Sequence, residues 1–101
     1  MRESFGRRND EQIREIVASI LATEISDPRV ALVTVTGAKV SSDRSVATVY
    51  VSADPDHYED VLEGLASARG RVRSLLGERI DWRVTPEVRF FIDESVDNGA
   101  R

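Results

Sequence analysis

Ala68-Arg69-Gly70-Arg71-Val72-Arg73-Ser74-Leu75-Leu76-Gly77 is the stretch on which the fold turns. Three arginines alternate around a glycine. Upstream, Val61, Leu62 and Leu65 form the apolar side of one helical segment, which runs to about Ser67. Downstream, Val72, Leu75, Leu76 and Ile80 recur at helical spacing. The glycine between them predicts a break at Ala68–Gly70, with a third helix over Arg71 to Ile80. A flexible backbone point, a helix start and positive charge in one place suit a phosphate backbone. The same segment also fits a surface helix that uses arginine without a partner.

Moving toward the N-terminus, Asp54-Pro55-Asp56 ends a strand and opens the second helix, with acids in its first turn facing the positive end of the helix dipole. Before it, Val46 to Val51 alternates as a strand, with Ala47, Val49 and Val51 on one side and Thr48 and Tyr50 on the other. Ser41-Ser42-Asp43-Arg44 has turn chemistry. Val30 to Val40 reads as the strand it turns from, and a slip of parity at Gly37 predicts a bulge. The two strands form an antiparallel hairpin. Asp27-Pro28-Arg29 is a turn, because the residue before proline is pushed out of the α region. Ile13, Ile16, Val17, Ile20 and Leu21 mark the apolar side of a first helix, with Asn9 and Gln12 as a capping-box-like pair at its start. Residues 1–8, which include Arg7 and Arg8, are expected to form a flexible basic arm.

Toward the C-terminus, Val84, Val88, Phe90 and Ile92 alternate as a third strand. Pro86 cannot donate to a ladder, so it belongs at that strand's start, at an edge or at a bulge. Trp82 stands between packing beneath the helices and a platform for stacked bases. The expected domain is 9–93, with 94–101 as a flexible tail. Helix, two strands, a crossover of helices and a third strand make a two-layer α+β domain with a three-stranded mixed sheet and helices on one face.

A chain of 101 residues supports one modest core and no cleft between domains. The absence of cysteine removes disulfides, thiol nucleophiles and Cys-type zinc sites. His57 is the only histidine and has no partner at metal-ligand spacing, so neither a metal site nor a catalytic site is expected. No Walker sequence, multi-glycine dinucleotide fingerprint or nucleophile elbow is present. No cofactor and no small-molecule substrate are expected. The start has neither a spanning apolar run nor a signal-peptide core, which points to a cytoplasmic protein with no membrane partner.

The formal net charge is −4, yet the charges are segregated. Asp54 to Glu63 holds five acids and no Lys or Arg, whereas Leu65 to Arg89 holds six arginines and three acids. A binding field depends on such patches as well as on the sum. Arginine outnumbers lysine thirteen to one, which favours planar contacts to phosphate or carboxylate.

A helix–loop–helix with a glycine-containing loop clamps the nucleic-acid backbone in RNA-binding domains of the K-homology type. The usual GXXG is absent here, and Ala68-Arg69-Gly70 stands in its place. With Arg73-Ser74-Leu75-Leu76 after it, the chain resembles the bacterial ribosome-binding factor A family. Further matches are Phe5-Gly6-Arg7, Asp27-Pro28-Arg29, Ala47-Thr48-Val49-Tyr50-Val51-Ser52, Arg83-Val84-Thr85-Pro86-Glu87-Val88, and Phe90-Phe91-Ile92-Asp93 with Ser95 and Gly99. The resemblance spans nearly the whole chain, and its weight lies in the ordered set.

The resemblance implies a type II K-homology-like fold. It also implies a non-enzymatic assembly factor that binds the small (30S) ribosomal subunit and 16S rRNA. Such a factor supports late subunit maturation, 16S rRNA 5′-end processing and growth in the cold. The expected RNA-binding residues are Arg7, Arg8, Arg69, Gly70, Arg71, Arg73 and Arg83, with Ala68, Arg69 and Gly70 as a helix-kink motif. A monomer is expected. The alternative is a protein-interaction module whose arginine-rich face meets an acidic protein partner.

Overall fold

A computed structural model describes residues 2–94, with side chains from residue 8 onward. The chain order is α1 (Arg2–Thr23), a 3-10 turn (Pro28–Val30), β1 (Thr34–Val40), β2 (Val46–Ser52), a second 3-10 turn (Pro55–His57), α2 (Tyr58–Arg79) and β3 (Glu87–Ile92).

In α1 the apolar series sinks into the core. Ile13, Val17 and Ile20 are fully buried and Leu21 nearly so. Each such side chain removed from water stabilises the fold by about 1.5–3 kcal/mol. The helix does not start at Asn9. It extends back to Arg2, so the backbone of residues 2–8 is helical where an arm was expected. No proline lies in that segment to stop the helix, and Gly6 is tolerated at a cost of about 1 kcal/mol. Asp10, inside the helix, ties it to the sheet by accepting from the Val40 backbone N–H at 2.9 Å.

Asp27 organises the turn that follows. Its carboxylate caps the 3-10 turn by accepting from the Arg29 backbone N–H and holds the Arg29 guanidinium at 2.6 Å. These bonds keep Pro28–Val30 out of the sheet, which is why β1 begins at Thr34 and not at Val30.

The sheet order is β1-β2-β3, with β1 and β2 antiparallel and β2 and β3 parallel. Val51 pairs with Val35 and Ile92, Val49 with Ala38 and Phe90, and Ala47 with Val40 and Val88. These three rows pack beneath the helices. The register slips between Val35 and Gly37, at the bulge the parity change predicts. The opposite side of the sheet carries exposed Tyr50 and Phe91, whose ring centroids lie 6.4 Å apart. Pro86 sits immediately before β3, and its neighbour Glu87 opens the strand by donating its N–H to the Ser45 carbonyl. Val84 is exposed, so the strand is shorter than the alternation suggests.

One expectation fails in an informative way. Ala68–Gly70 does not separate two helices. A single helix of 22 residues runs from Tyr58 to Arg79 through the motif. No glycine among the described residues has a positive φ, so Gly70 keeps the right-handed helical backbone. A glycine inside a helix costs about 1 kcal/mol relative to alanine, and that is too little to break a helix whose other side is buried. Val61, Leu65, Ala68, Val72 and Leu76 supply that buried side on both flanks of the motif.

Candidate nucleic-acid interface

Successive residues on an α-helix are rotated by about 100°. With Val61, Leu65, Ala68 and Val72 turned inward, Gly70 falls on the crest of α2 that faces solvent. Ala66, Ser67 and Ser74 share this crest, and all are exposed. Around Gly70 its side chains are therefore small or absent, and Glu63, two turns back, is a large exposed side chain on the same line. A Cβ built on Gly70 would meet nothing within 4 Å. Packing inside the chain gives no reason for a glycine there.

The three arginines stand beside this low crest, but not together. Arg69 and Arg73, four residues apart, lie on its β3 side. Arg71 lies on the other side, next to a shallow recess formed by Glu24, Ile25, Ser26 and Asp27 with Ser67 and Ala68. All three are exposed. Arg69 and Arg71 form no hydrogen bond or ion pair with any described residue. Arg73 is anchored: its Nε donates to the Pro86 carbonyl at 3.2 Å and its Nη2 to the Thr85 carbonyl at 2.9 Å. It pins the connection entering β3 while its charge stays at the surface.

Glu87 and Arg89 complete the β3 side. Arg89 donates to the Glu87 carboxylate at 3.0 Å. That bond holds the Glu87 carboxyl below its ordinary range, and the fields of Arg69 and Arg73 add to the effect. One carboxylate thus faces three guanidinium groups, and the cluster remains positive. Alternation places Glu87 and Arg89 on the solvent side of a strand, and nothing in the sequence shows that the two pair or that Arg69 and Arg73 stand near them.

The other expected arginines are dispersed. Arg8 is exposed on α1. The Arg7 side chain lies outside the described residues, as do residues 95–101 of the expected tail, including Ser95 and Gly99. Arg83 is exposed in the α2–β3 connection, beside a small recess it shares with Asp43, Arg44, Ser45, Trp82 and Val84. There the Arg44 guanidinium lies 4.8 Å from the centroid of the Trp82 ring. Trp82 is half-buried and packs against the core cluster, so the packing role describes it, and Arg44 occupies a face of its ring. Arg44 is the one non-glycine residue described with a positive φ, at 63°. The turn chemistry of Ser41–Arg44 locates the reversal but not the direction of this arginine.

His57 is exposed, and its Nδ1 lies 3.9 Å from the Asp54 carboxylate. Among the described residues no group of three or more His, Asp or Glu side chains is placed to hold a metal ion. No described helix is long and apolar enough to cross a membrane.

Residues 6–101 match the sequence model of the family Ribosome-binding factor A. The crystal structure of ribosome-binding factor A from Thermus thermophilus is similar, with 30% identity and a TM-score of 0.79, over 86% of this chain and 93% of that one. A homology model of the Thermus thermophilus ribosome binding factor A, fitted into a cryo-EM map of a 30S complex, matches with 27% identity and a TM-score of 0.67. That match covers 84% of this chain and 91% of the other. The K-homology-like α+β fold agrees with these structures. The chain belongs to the ribosome-binding factor A family.

Proposed function

From that membership and the shape of α2, we propose that the protein binds the small ribosomal subunit and that the crest at Gly70 meets 16S rRNA. The single observation that carries this reading is a helix ridge with no side chain at its centre and arginines on both flanks. A sugar-phosphate strand can lie close to such a ridge, since only hydrogen projects from Gly70. Arg69 and Arg71 then reach phosphates from opposite sides. Arg73 adds charge and fixes the β3 entrance, and the helix-kink motif Ala68-Arg69-Gly70 becomes a point of close approach. Arg7, Arg8 and Arg83 extend the footprint.

Support also comes from the Thermus relative, whose coordinates are fitted into a 30S complex. The finer reading is a monomeric, cytoplasmic assembly factor without catalysis. It acts late in subunit maturation, aids 5′-end processing of 16S rRNA and supports growth in the cold. Such contacts are electrostatic, so the slope of log affinity against log salt steepens by roughly one unit for each phosphate neutralised.

The test is a photo-crosslinking residue at Ser74, on the crest, in protein bound to purified small subunits. Crosslinks to 16S rRNA are expected. Crosslinks to protein alone would transfer the arginines to an acidic protein partner. Failure to co-sediment with small subunits would remove the reading altogether.

A further inference from the structure

The opposite end of α2 has a different character. A groove of about 340 Å³ opens between the Pro28–Val30 turn and the start of α2. Pro28, Leu32, Ala53 and Val61 give it an apolar lining, joined by His57 and the carboxylates of Asp54 and Asp60. Leu32 is 83% exposed, the most exposed large apolar side chain described. A leucine standing in water beside an apolar groove is an anchor point for a partner surface.

The acidic charges around the groove are concentrated. Asp54 and Asp60 line it, and Asp56, Glu59 and Glu63 lie on the same segment. The cation in its lining, Arg29, is already engaged, at 2.6 Å from Asp27 and 3.6 Å from Glu63. A nucleic acid would bring phosphates against unbalanced carboxylates. A protein segment rich in Lys and Arg meets complementary charge, and an apolar side chain within it fills the groove.

We infer that the groove between Leu32 and Val61 docks a basic protein segment through one apolar anchor. On a particle of RNA and protein, this end of the helix takes the protein and the Gly70 end takes the RNA. Its place on such a particle rests on the rRNA reading; the docking of a basic segment in the groove does not.

The test needs only the full chain, by amide NMR titration. The probes are a short Lys- and Arg-rich peptide with one central leucine, the same peptide with serine in that place, and a single-stranded oligouridylate. The leucine peptide is expected to shift the amides of Leu32, Ala53, His57 and Val61. Serine in its place should weaken binding by about tenfold to a hundredfold, the scale of one buried leucine side chain. Asp60→Lys and Leu32→Ser should each weaken the leucine peptide as well, and both replace exposed side chains, so the fold is kept. Equal binding of the two peptides, absence of shifts at the groove, or the same amides shifted by the oligouridylate would each overturn the inference. None of these outcomes bears on co-sedimentation with small subunits, so the two readings fail separately.

Discussion

Gly64 and Gly70 lie six residues apart in one helix and are there for opposite reasons. Gly64 is buried. A Cβ on it would come within 2.9 Å of the Arg29 Cβ and 3.0 Å of a Val30 methyl carbon. This glycine lets the helix cross the Pro28–Val30 turn closely, and the chain itself explains it. Gly70 is exposed, with open space where a side chain would stand. Its helical backbone makes glycine unfavourable there by about 1 kcal/mol, and no internal contact compensates. The first glycine serves the fold. No contact within the described residues accounts for the second, and its surface is open to an approaching partner.

The largest effect should fall on the fold side of this comparison. Gly64→Val forces a branched side chain against Arg29 and Val30, and overpacking of that kind costs about 3 kcal/mol. Thermal unfolding should show a clear drop in Tm. An unchanged Tm would mean that α2 and the turn can separate, and the contrast between the two glycines would vanish.

Next comes the pair Arg69→Ala and Arg71→Ala. Both side chains are exposed and form no hydrogen bond or ion pair with a described residue, so stability should change by less than about 0.5 kcal/mol. Subunit binding should weaken strongly.

Arg73→Ala separates anchoring from contact. Loss of its bonds to the Thr85 and Pro86 carbonyls should cost about 1 kcal/mol of stability. Its effect on the salt dependence of binding should be smaller than that of Arg69 or Arg71.

Gly70→Ala sharpens the comparison through its sign. The substitution should raise stability by about 0.5–1 kcal/mol, by helix propensity. It should also weaken binding, because a methyl group now stands on the crest. Calorimetry and subunit binding on the same sample check both halves.

The smallest effect concerns the brace around Gly64. The Arg29 side chain, and then its backbone N–H, hold the Asp27 carboxyl below its ordinary range. A carboxyl lowered on folding stabilises the folded state above its unfolded value, and that contribution disappears as pH falls through the folded value. Asp27→Asn should therefore lower Tm slightly near neutrality, with the difference from the parent chain closing under acid.

Much of this organisation is legible in the sequence, for identifiable reasons. The burial of Ile13, Val17 and Ile20 follows from a helical period that nothing interrupts. The bulge beside Gly37 is visible because two strand parities cannot both face the core. The continuity of α2 is not legible, because glycine reads locally as a breaker. Only the burial of Ala68, Val72 and Leu76 on one continuous side outweighs it. The direction of each arginine is hidden for a related reason. A break at Gly70 leaves the angle between the two segments open, whereas a continuous helix sends Arg69 and Arg71 to opposite flanks. The anchoring of Arg73 depends on the carbonyls of Thr85 and Pro86, twelve and thirteen residues away, which no local pattern connects to it.

The most direct test of the central claim is the salt dependence of binding to purified small subunits. It should be measured for the parent chain and for the Arg69→Ala, Arg71→Ala variant. If the two flanks of the Gly70 crest hold rRNA phosphates, the slope of log affinity against log salt falls by roughly two units in the variant. An unchanged slope, at whatever affinity, would contradict the account.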